Sequence, residues 1–439
     1  MKFEMVKLGG LLELLTDYHA NGAYKKLKAN VELLDKPDYA VMIRTTNFEQ
    51  NDFSSNLKYI NKHAYEFLAK SKVYPNDIIM NKIANAGSSY FMPDLKAPVS
   101  LAMNLFLLRV NTDLVNPIYL YIYLKINERY VKSFANGSVT KTITKDAVRN
   151  LEIQLPDRKT QDQIADIYHM LTRKIELNSQ MNETLEVMAQ ALFKSWFVDF
   201  DPVIDNALAA GNAIPDELLE RAEQRKTIEK KDNSDIQCLF PDEFELSEEM
   251  GWVPKGWKLI SFGEFCDIKK GRNITKSTVT EGEVPVIAGG LKPAYYHNKS
   301  NVNAPVITVS ASGANAGFVN LYYQDIWASD CSYISENMSP FIFTTYSFLK
   351  YHQDKVFGLQ QGAVQPHVYP KDLSRLNFVD SNESVKIAIE KNLNAYYEKI
   401  KFNEAQTEAL AKLRDTLLPK LMSGELRIPE AAVLVDEVL

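Results

Sequence analysis

TQDQIADIYHMLTRKIELNSQMNETLEVMAQALFKSWF, residues 160–197, places a seam at Ile164, Tyr168, Leu171, Ile175, Asn178, Asn182, Leu185, Ala189, Leu192 and Trp196. The steps alternate four and three throughout, the heptad spacing of a coiled-coil helix. The same seam returns 225 residues later as Ile389, Leu393, Tyr396, Ile400, Asn403, Thr407, Leu410, Arg414, Leu417 and Leu421. Arg414 is the one clear departure; Met188 and Leu413, one position earlier, offer the apolar contact there. At 1.5 Å rise per residue each seam spans roughly 50 Å. Two amphipathic helices packed separately on their own domains would also show apolar seams. Matched length and register, with Asn178 and Asn403 at the same step, favour pairing with each other. A buried seam Asn costs stability unless it finds a partner, and fixes register when it does.

The repeat extends beyond the helices. Asn136-Gly137-Ser138-Val139 returns as Gln361-Gly362-Ala363-Val364, and Ala84-Asn85-Ala86-Gly87 as Ala314-Asn315-Ala316-Gly317. A repeat this long is a duplicated domain with its connector, not a solenoid unit. The flanking regions mix short β-type runs, such as residues 39–43, 77–80 and 105–110, with turns and a helix over 117–126. The expected class is α+β. Two mixed α/β modules occupy 1–157 and 258–380, and long helices occupy 158–200 and 381–425. An acidic linker fills 201–257, and a tail that reads as frayed runs to 439.

A chain of 439 residues is too long for one ordinary core. Apolar content of 46% and charged content of 24% are ordinary for a soluble protein. No run of 18 apolar residues and no basic-then-apolar leader appears, so a cytoplasmic protein without a membrane partner is expected. The 3 cysteines are widely spaced, which fits a reducing compartment and gives no zinc pattern. A net charge of −6 argues against nucleic acid until it is mapped. Residues 1–155 carry 20 Lys/Arg against 15 Asp/Glu, whereas 201–257 carry 6 against 14. The acid sits mainly in the linker, and the basic first module permits phosphate binding.

Catalytic signals are missing. No Gly-rich loop ends in Gly-Lys-Ser/Thr, so ATP hydrolysis by this chain is not expected. No Asn-Pro-Pro-aromatic or Asp-Pro-Pro-aromatic tetrapeptide marks an amino-methyltransferase. Asp242, Glu243 and Glu245 lack the following Lys of a nuclease site and read as a solvated acidic linker. No catalytic residue, metal ligand or cofactor site is therefore assigned.

Loops suited to DNA remain. The segment with Lys82, Asn85, Ser88, Ser89 and Tyr90 follows a β-run, and its copy holds Ser312 and Asn315. Small residues let backbone N–H groups approach phosphate, and Asn, Ser and Lys can bond phosphates or base edges. The same segments also suit a tight Gly turn between strands. A second candidate carries Thr140, Lys141, Thr142 and Lys145; its copy offers Gln360, Gln361, Gln365 and His367. Lys82 and Lys141 are expected on phosphate, Gln365 and His367 on bases. The copies differ most where side chains would read bases. Lys270, Arg272 and Asn273 form a basic turn that serves equally as a solvated hairpin end.

Module, long helix, linker, module, long helix resembles the specificity (S) subunit of type I restriction–modification enzymes, a host-defence system. The resemblance covers essentially the whole chain. It rests on the segments at Gly137 and Gly362, on Ala191-Leu192-Phe193-Lys194-Ser195-Trp196-Phe197-Val198-Asp199-Phe200-Asp201-Pro202, and on Gly256-Trp257. It implies that each module is a target recognition domain reading one half of an asymmetric, bipartite sequence in double-stranded DNA. It also implies an internal pseudo-twofold repeat whose helices pair as an antiparallel coiled coil, set the spacer and bind two methyltransferase (modification) subunits. Those partners would use S-adenosylmethionine to methylate adenine. Motor–nuclease (restriction) subunits would add cleavage with ATP and Mg, leaving this chain non-catalytic. The first module is longer than the second, which implies recognition loops built differently. Competing readings are a stand-alone DNA methyltransferase, opposed by the missing tetrapeptide, and a coiled-coil adaptor that binds no DNA.

Overall fold

Strand runs and one amphipathic stripe per long helix gather into a main hydrophobic core in each of two compact units, with smaller clusters beside it. The computed structural model describes residues 3–137, 139–228, 234–248, 251–362 and 365–438. Ser138, Ala363 and Val364 of the repeated segments, and residues 230–233 of the acidic stretch, lie outside the described residues. One unit comprises Met1–Leu177 with Gln406–Leu439; the other comprises Asn178–Ala405.

In the first unit the strands are β1 (Glu4–Lys7), β2 (Leu12–Asp17), β3 (Ala40–Ile43), β4 (Tyr59–Ile60), β5 (Lys72–Val73), β6 (Ile78–Asn81), β7 (Ser89–Phe91), β8 (Val99–Leu101), β9 (Leu105–Val110) and β10 (Glu152–Leu155). They form sheets β2-β9-β6-β7 and β4-β3-β8-β5 and a ribbon β1-β10. Central strands such as Leu105–Val110 are apolar on both faces and nearly all buried, so they carry no alternation. The helix Pro117–Ile126 starts where the Asn116 side chain accepts from the Ile118 and Tyr119 N–H groups at 2.9 and 3.2 Å, with Pro117 in its first turn.

In the second unit the strands are β11 (Phe244–Ser247), β12 (Gly251–Pro254), β13 (Lys258–Ser261), β14 (Lys269–Lys270), β15 (Val284–Ile287), β16 (Tyr295–His297), β17 (Val306–Ser310), β18 (Val319–Tyr322), β19 (Trp327–Ala328), β20 (Cys331–Ser335) and β21 (Asn377–Asp380). Their sheets run β14-β20-β17-β18 and β16-β15-β19, with ribbons β13-β21 and β11-β12. The pairing repeats the first unit. β3 is antiparallel to β4 and parallel to β8, as β15 is antiparallel to β16 and parallel to β19. β1-β10 and β13-β21 are matching antiparallel ribbons. The extra length of the first module lies in β5 and the helices Tyr24–Asn30, Thr45–Glu49 and Lys62–Phe67, elements without a counterpart between β14 and β17.

The long helices span Arg158–Phe197 and Glu383–Ser423, 40 and 41 residues. Ile164 and Leu171 share the first unit's core with Leu410, Leu417 and Leu421, and Tyr168 and Ile175 pack against it half-buried. Ile389, Leu393 and Ile400 lie in the second unit's core, with Leu185, Leu192 and Tyr396 packed on it. Within the second unit Asn178 Nδ2 donates to the Asn403 carbonyl and Asn182 Nδ2 to the Ile400 carbonyl, both at 3.4 Å. Asn403 Nδ2 donates to Asn182 Oδ1 at 2.8 Å. One helix ascends as the other descends, so the pairing is antiparallel. Leu413 does supply an apolar contact beside Arg414, but Met188 is 45% exposed and does not. Asn403→Ala removes the donor to a half-buried amide oxygen and should cost about 1–3 kcal/mol in thermal unfolding. Replacing Asn178, Asn182 and Asn403 all by Leu should restore or exceed wild-type stability, because the Asn182–Asn403 side-chain pair is then removed from both ends; a triple variant weaker than Asn403→Ala would contradict this.

Two sequence expectations are corrected. The acidic stretch 201–257 is not a plain linker at its start, although Asp242, Glu243 and Glu245 are exposed as expected. Asp201–Ala210 is a helix with Val203, Ile204 and Ala207 fully buried. Its Asp201 and Asp205 are neutralised by Arg221 and Arg225. The Phe-Lys-Ser-Trp-Phe-Val-Asp-Phe segment packs here: Phe197 and Phe200 lie 5.5 and 6.0 Å from the Trp257 ring, and Ser195 Oγ donates to Asp201 at 2.7 Å. Nor is the tail frayed. Ile428–Asp436 is a helix whose Ala431 and Val435 are fully buried in the first unit's core. Among the described residues no helix is long and apolar enough to cross a membrane.

Candidate nucleic-acid interface

Each module builds the same pair of loops with the same main-chain bonds. After β6, the chain reverses at Gly87 (φ 96°), whose N–H donates to the Asn81 carbonyl at 2.8 Å. After β17 it reverses at Gly317 (φ 90°), which donates to the Ser310 carbonyl at 2.8 Å. The second loop is closed by two bonds between Asn136 and Thr142, both 2.8 Å, and by two between Gln361 and His367, both 2.9 Å. The loops are then joined. Ala84 N–H donates to the Lys141 carbonyl and Ile143 N–H to the Lys82 carbonyl, each at 3.0 Å. The equivalents are Gly313 to Pro366 at 3.1 Å and Val368 to Ala311 at 3.0 Å.

Side chains then differentiate the copies. In the first module Lys82 and Lys145 both bind the Asp17 carboxylate, at 3.0 and 2.9 Å. Burial pushes the Asp17 pKa up, but the two ammonium groups outweigh it and hold the carboxyl below its ordinary value. Asn85 is exposed at the tip of its loop and accepts from Lys132 Nζ at 2.6 Å. Thr140 and Lys141 are exposed, whereas Thr142 is half-buried and donates through Oγ1 to the Asn136 carbonyl at 3.4 Å. Tyr90 is half-buried, stacked 5.1 Å from the Phe48 ring, with its hydroxyl accepting from Asn81 at 3.1 Å. Ser88 and Ser89, expected at the interface, are 2% and 0% exposed and cannot reach a ligand. The Gly87 turn drives Ser88 Oγ onto Glu128, and Ser89 enters the ladder opposite Met80.

In the second module Ser312 Oγ donates to Asp330, and Asn315 Nδ2 to the Gly289 carbonyl at 3.5 Å. Gln360 Nε2 donates to the Ala316 carbonyl at 2.7 Å, and Gln361 Nε2 to Asp372 at 3.0 Å; both residues brace the loops. Gln365 is exposed at the loop tip. His367 is half-buried, its ring stacked 5.8 Å from Tyr369. Lys270, Arg272 and Asn273 are all exposed. Gly271 N–H donates to the Cys331 carbonyl at 2.8 Å, which fastens the basic turn to the sheet that carries the 310–318 loop. Exposed amides, hydroxyls and cations on a rigid paired-loop platform can bond base edges and phosphates. Among the described residues no group of three or more His, Cys, Asp or Glu could hold a metal ion.

The family model described as the type I restriction modification DNA specificity domain matches residues 1–187 and 254–411, most of the chain. This chain belongs to that specificity family. It is 28% identical to the type I restriction enzyme HindI specificity subunit of Haemophilus influenzae, covering 82% of this chain and 88% of the relative. It is 22% identical to the MjaIX specificity subunit of Methanocaldococcus jannaschii, covering 71% and 69%. The crystal structure of a type I restriction–modification S subunit from M. genitalium matches the fold with a TM-score of 0.55 at 14% identity, covering 96% of both chains.

Several residues that shape this specificity-family platform escaped the sequence reading. Asp17, Glu128, Lys132, Asp330 and Asp372 all orient loop side chains from other elements. Asp17 lies 65 residues before Lys82 and 128 before Lys145. The β2-β9-β6 ladder and the bonds joining the two loops bring them together.

Proposed function

We propose that this chain is the DNA-reading specificity subunit of a type I restriction–modification complex. Residues 1–157 and 258–380 act as two target recognition domains, each reading one half of an asymmetric, bipartite sequence in double-stranded DNA. The observation that carries this reading is the paired-loop platform: one main-chain frame built twice, with different side chains at its exposed tips. One frame with two chemistries suits a target of two unlike halves. The antiparallel helices would set the spacer between half-sites and dock two methyltransferase subunits. Those subunits would supply S-adenosylmethionine and adenine methylation. Restriction subunits would supply ATP- and Mg-dependent cleavage, and this chain would perform no chemistry itself.

Mapping methylated bases in genomic DNA from a host expressing the chain with its methyltransferase partners tests the proposal. A bipartite adenine-methylated motif is expected. Methyl transfer by the chain alone would point to a self-contained enzyme, and partner binding without sequence selectivity would point to an adaptor. At residue level, Gln365→Ala should cost ~1–3 kcal/mol against the correct base and relax only the second half-site. Equal weakening on every sequence would rule out base reading by Gln365.

A further inference from the structure

The strand ladders match residues between modules that sequence comparison does not. In the first module Asp17 pairs with Phe106, Phe106 with Met80, and Met80 with Ser89. In the second, Lys270 pairs with Ser332, Ser332 with Val309, and Val309 with Val319. Asp17 and Lys270 therefore occupy the same ladder position. The loop bonds extend the match: Lys82 corresponds to Ala311, since each carbonyl accepts from the residue after the second loop, Ile143 or Val368. Lys145 and Pro370 each open the short helix that follows.

The charges are thus permuted. One module holds an acid between two lysines, Asp17 with Lys82 and Lys145. The other holds a lysine where the acid stood, and uncharged Ala311 and Pro370 where the lysines stood. At these three matched positions each arrangement carries one surplus positive charge beside the paired loops; the second module's nearby Asp330 is tied to Ser312. The first is partly accessible, with the lysine side chains 29% and 31% exposed, and Lys270 is exposed. A structural tie between loops would not need the net charge kept, since Ser312 and Asp330 make such a tie with a neutral donor.

We propose that this surplus charge is a phosphate seat for the DNA backbone, one in each module, and that Asp17 is a positioning residue that aims Lys82 and Lys145 at it. The inference rests on the DNA-reading function proposed above. A phosphate neutralised by a fixed charge releases counterions, so each seat adds about one unit to the slope of log affinity against log salt, on any sequence.

The test measures that slope for the full chain assembled with its methyltransferase partners on a random-sequence duplex. Lys270→Ala should flatten the slope by about one unit. Asp17→Asn, which leaves one acceptor oxygen for one of the two lysines and removes the neutralising charge, should steepen it by about one unit, and Asp17→Glu should match the parent. Thermal unfolding of each variant runs alongside. A merely structural Asp17 predicts a lower melting temperature with a parental or flatter slope, and that result overturns the proposal for the first module. An unchanged slope in Lys270→Ala overturns it for the second. If the parent complex itself binds the duplex without salt dependence, the DNA-reading function fails, and the two failures are told apart.

Discussion

Replacing residues 258–380 with the corresponding module of another specificity subunit should rewrite one half of the recognised DNA sequence and leave the other half intact. The graft is mechanically reasonable because the module closes on itself. Its first and last strands pair with each other in an antiparallel ribbon, Lys258 opposite Asp380 through Ser261 opposite Asn377. Both cut points therefore fall at one place, and among the described residues no strand of its sheets is borrowed from outside 258–380. The first module is closed in the same way by Glu4–Lys7 against Glu152–Leu155. The junction that must be respected is aromatic: Trp257, Phe262 and Phe378 share one core with Phe193 and Phe197 of the long helix. A donor module should keep apolar residues at the positions of Phe262 and Phe378. Each mismatched base pair typically costs ~1–3 kcal/mol, so exchanging the residues that read several bases shifts selectivity by orders of magnitude. Methylated-base mapping of the chimera reads the outcome directly. Alteration of both half-sites would show that the modules do not read independently.

The long helices were legible because their evidence is periodic and repeated. A heptad seam survives inspection of side chains alone, and a second copy at matched register argues for the partner. The segment after the first helix was misread because its composition is acidic. Asp201 and Asp205 look solvated in sequence, yet both are buried against Arg221 and Arg225, 20 residues away. The tail helix was missed because its buried stripe is only Ala431 and Val435, one turn apart. One signal was available: both short helices carry proline in their first turn, Pro202 and Pro429, shortly after a long helix ends. The repeat therefore extends one helix further than the seam alone indicated.

The candidate site was legible at the level of loops and not of side chains. Repeated small residues around Gly87 and Gly317 marked the turns. Which neighbours face outward depends on the sheet register, and a one-residue step reverses a side chain in a strand. Ser88 is turned onto Glu128 by the Gly87 reversal and Ser89 enters the ladder opposite Met80, so both are buried. Lys82 was read as a free phosphate contact because nothing in sequence places Asp17 beside it. Gln360 and Gln361 were candidates for DNA contact, and the fold uses their amides to hold Ala316 and Asp372.

Gly137→Ala should abolish selectivity for the first half-site while sparing the second. Gly137 has φ 126°, a conformation that residues with a Cβ rarely adopt. A Cβ there would lie 2.3 Å from the Thr140 carbonyl oxygen, a main-chain atom that cannot rotate away. The backbone conformation alone costs about 1–3 kcal/mol, and the overlap adds to it. Relief requires opening the loop that Asn136 and Thr142 close, and that loop holds Ala84 through the Lys141 carbonyl. Both recognition loops of the first module would therefore lose their frame together. Gly362→Ala repeats the experiment in the second module, with the Gln365 carbonyl oxygen 2.8 Å from the added carbon, and should strike the second half-site instead. Gly211→Ala is the control: φ is 75°, nothing lies within 4 Å of its Cβ, and it caps a helix away from the loops. It should lower stability slightly and leave both half-sites unchanged. Binding of the assembled complex to duplexes altered in one half-site at a time, with melting temperatures measured in parallel, separates the three. Retained discrimination at the first half-site in Gly137→Ala would mean that the closed loop is not what reads DNA.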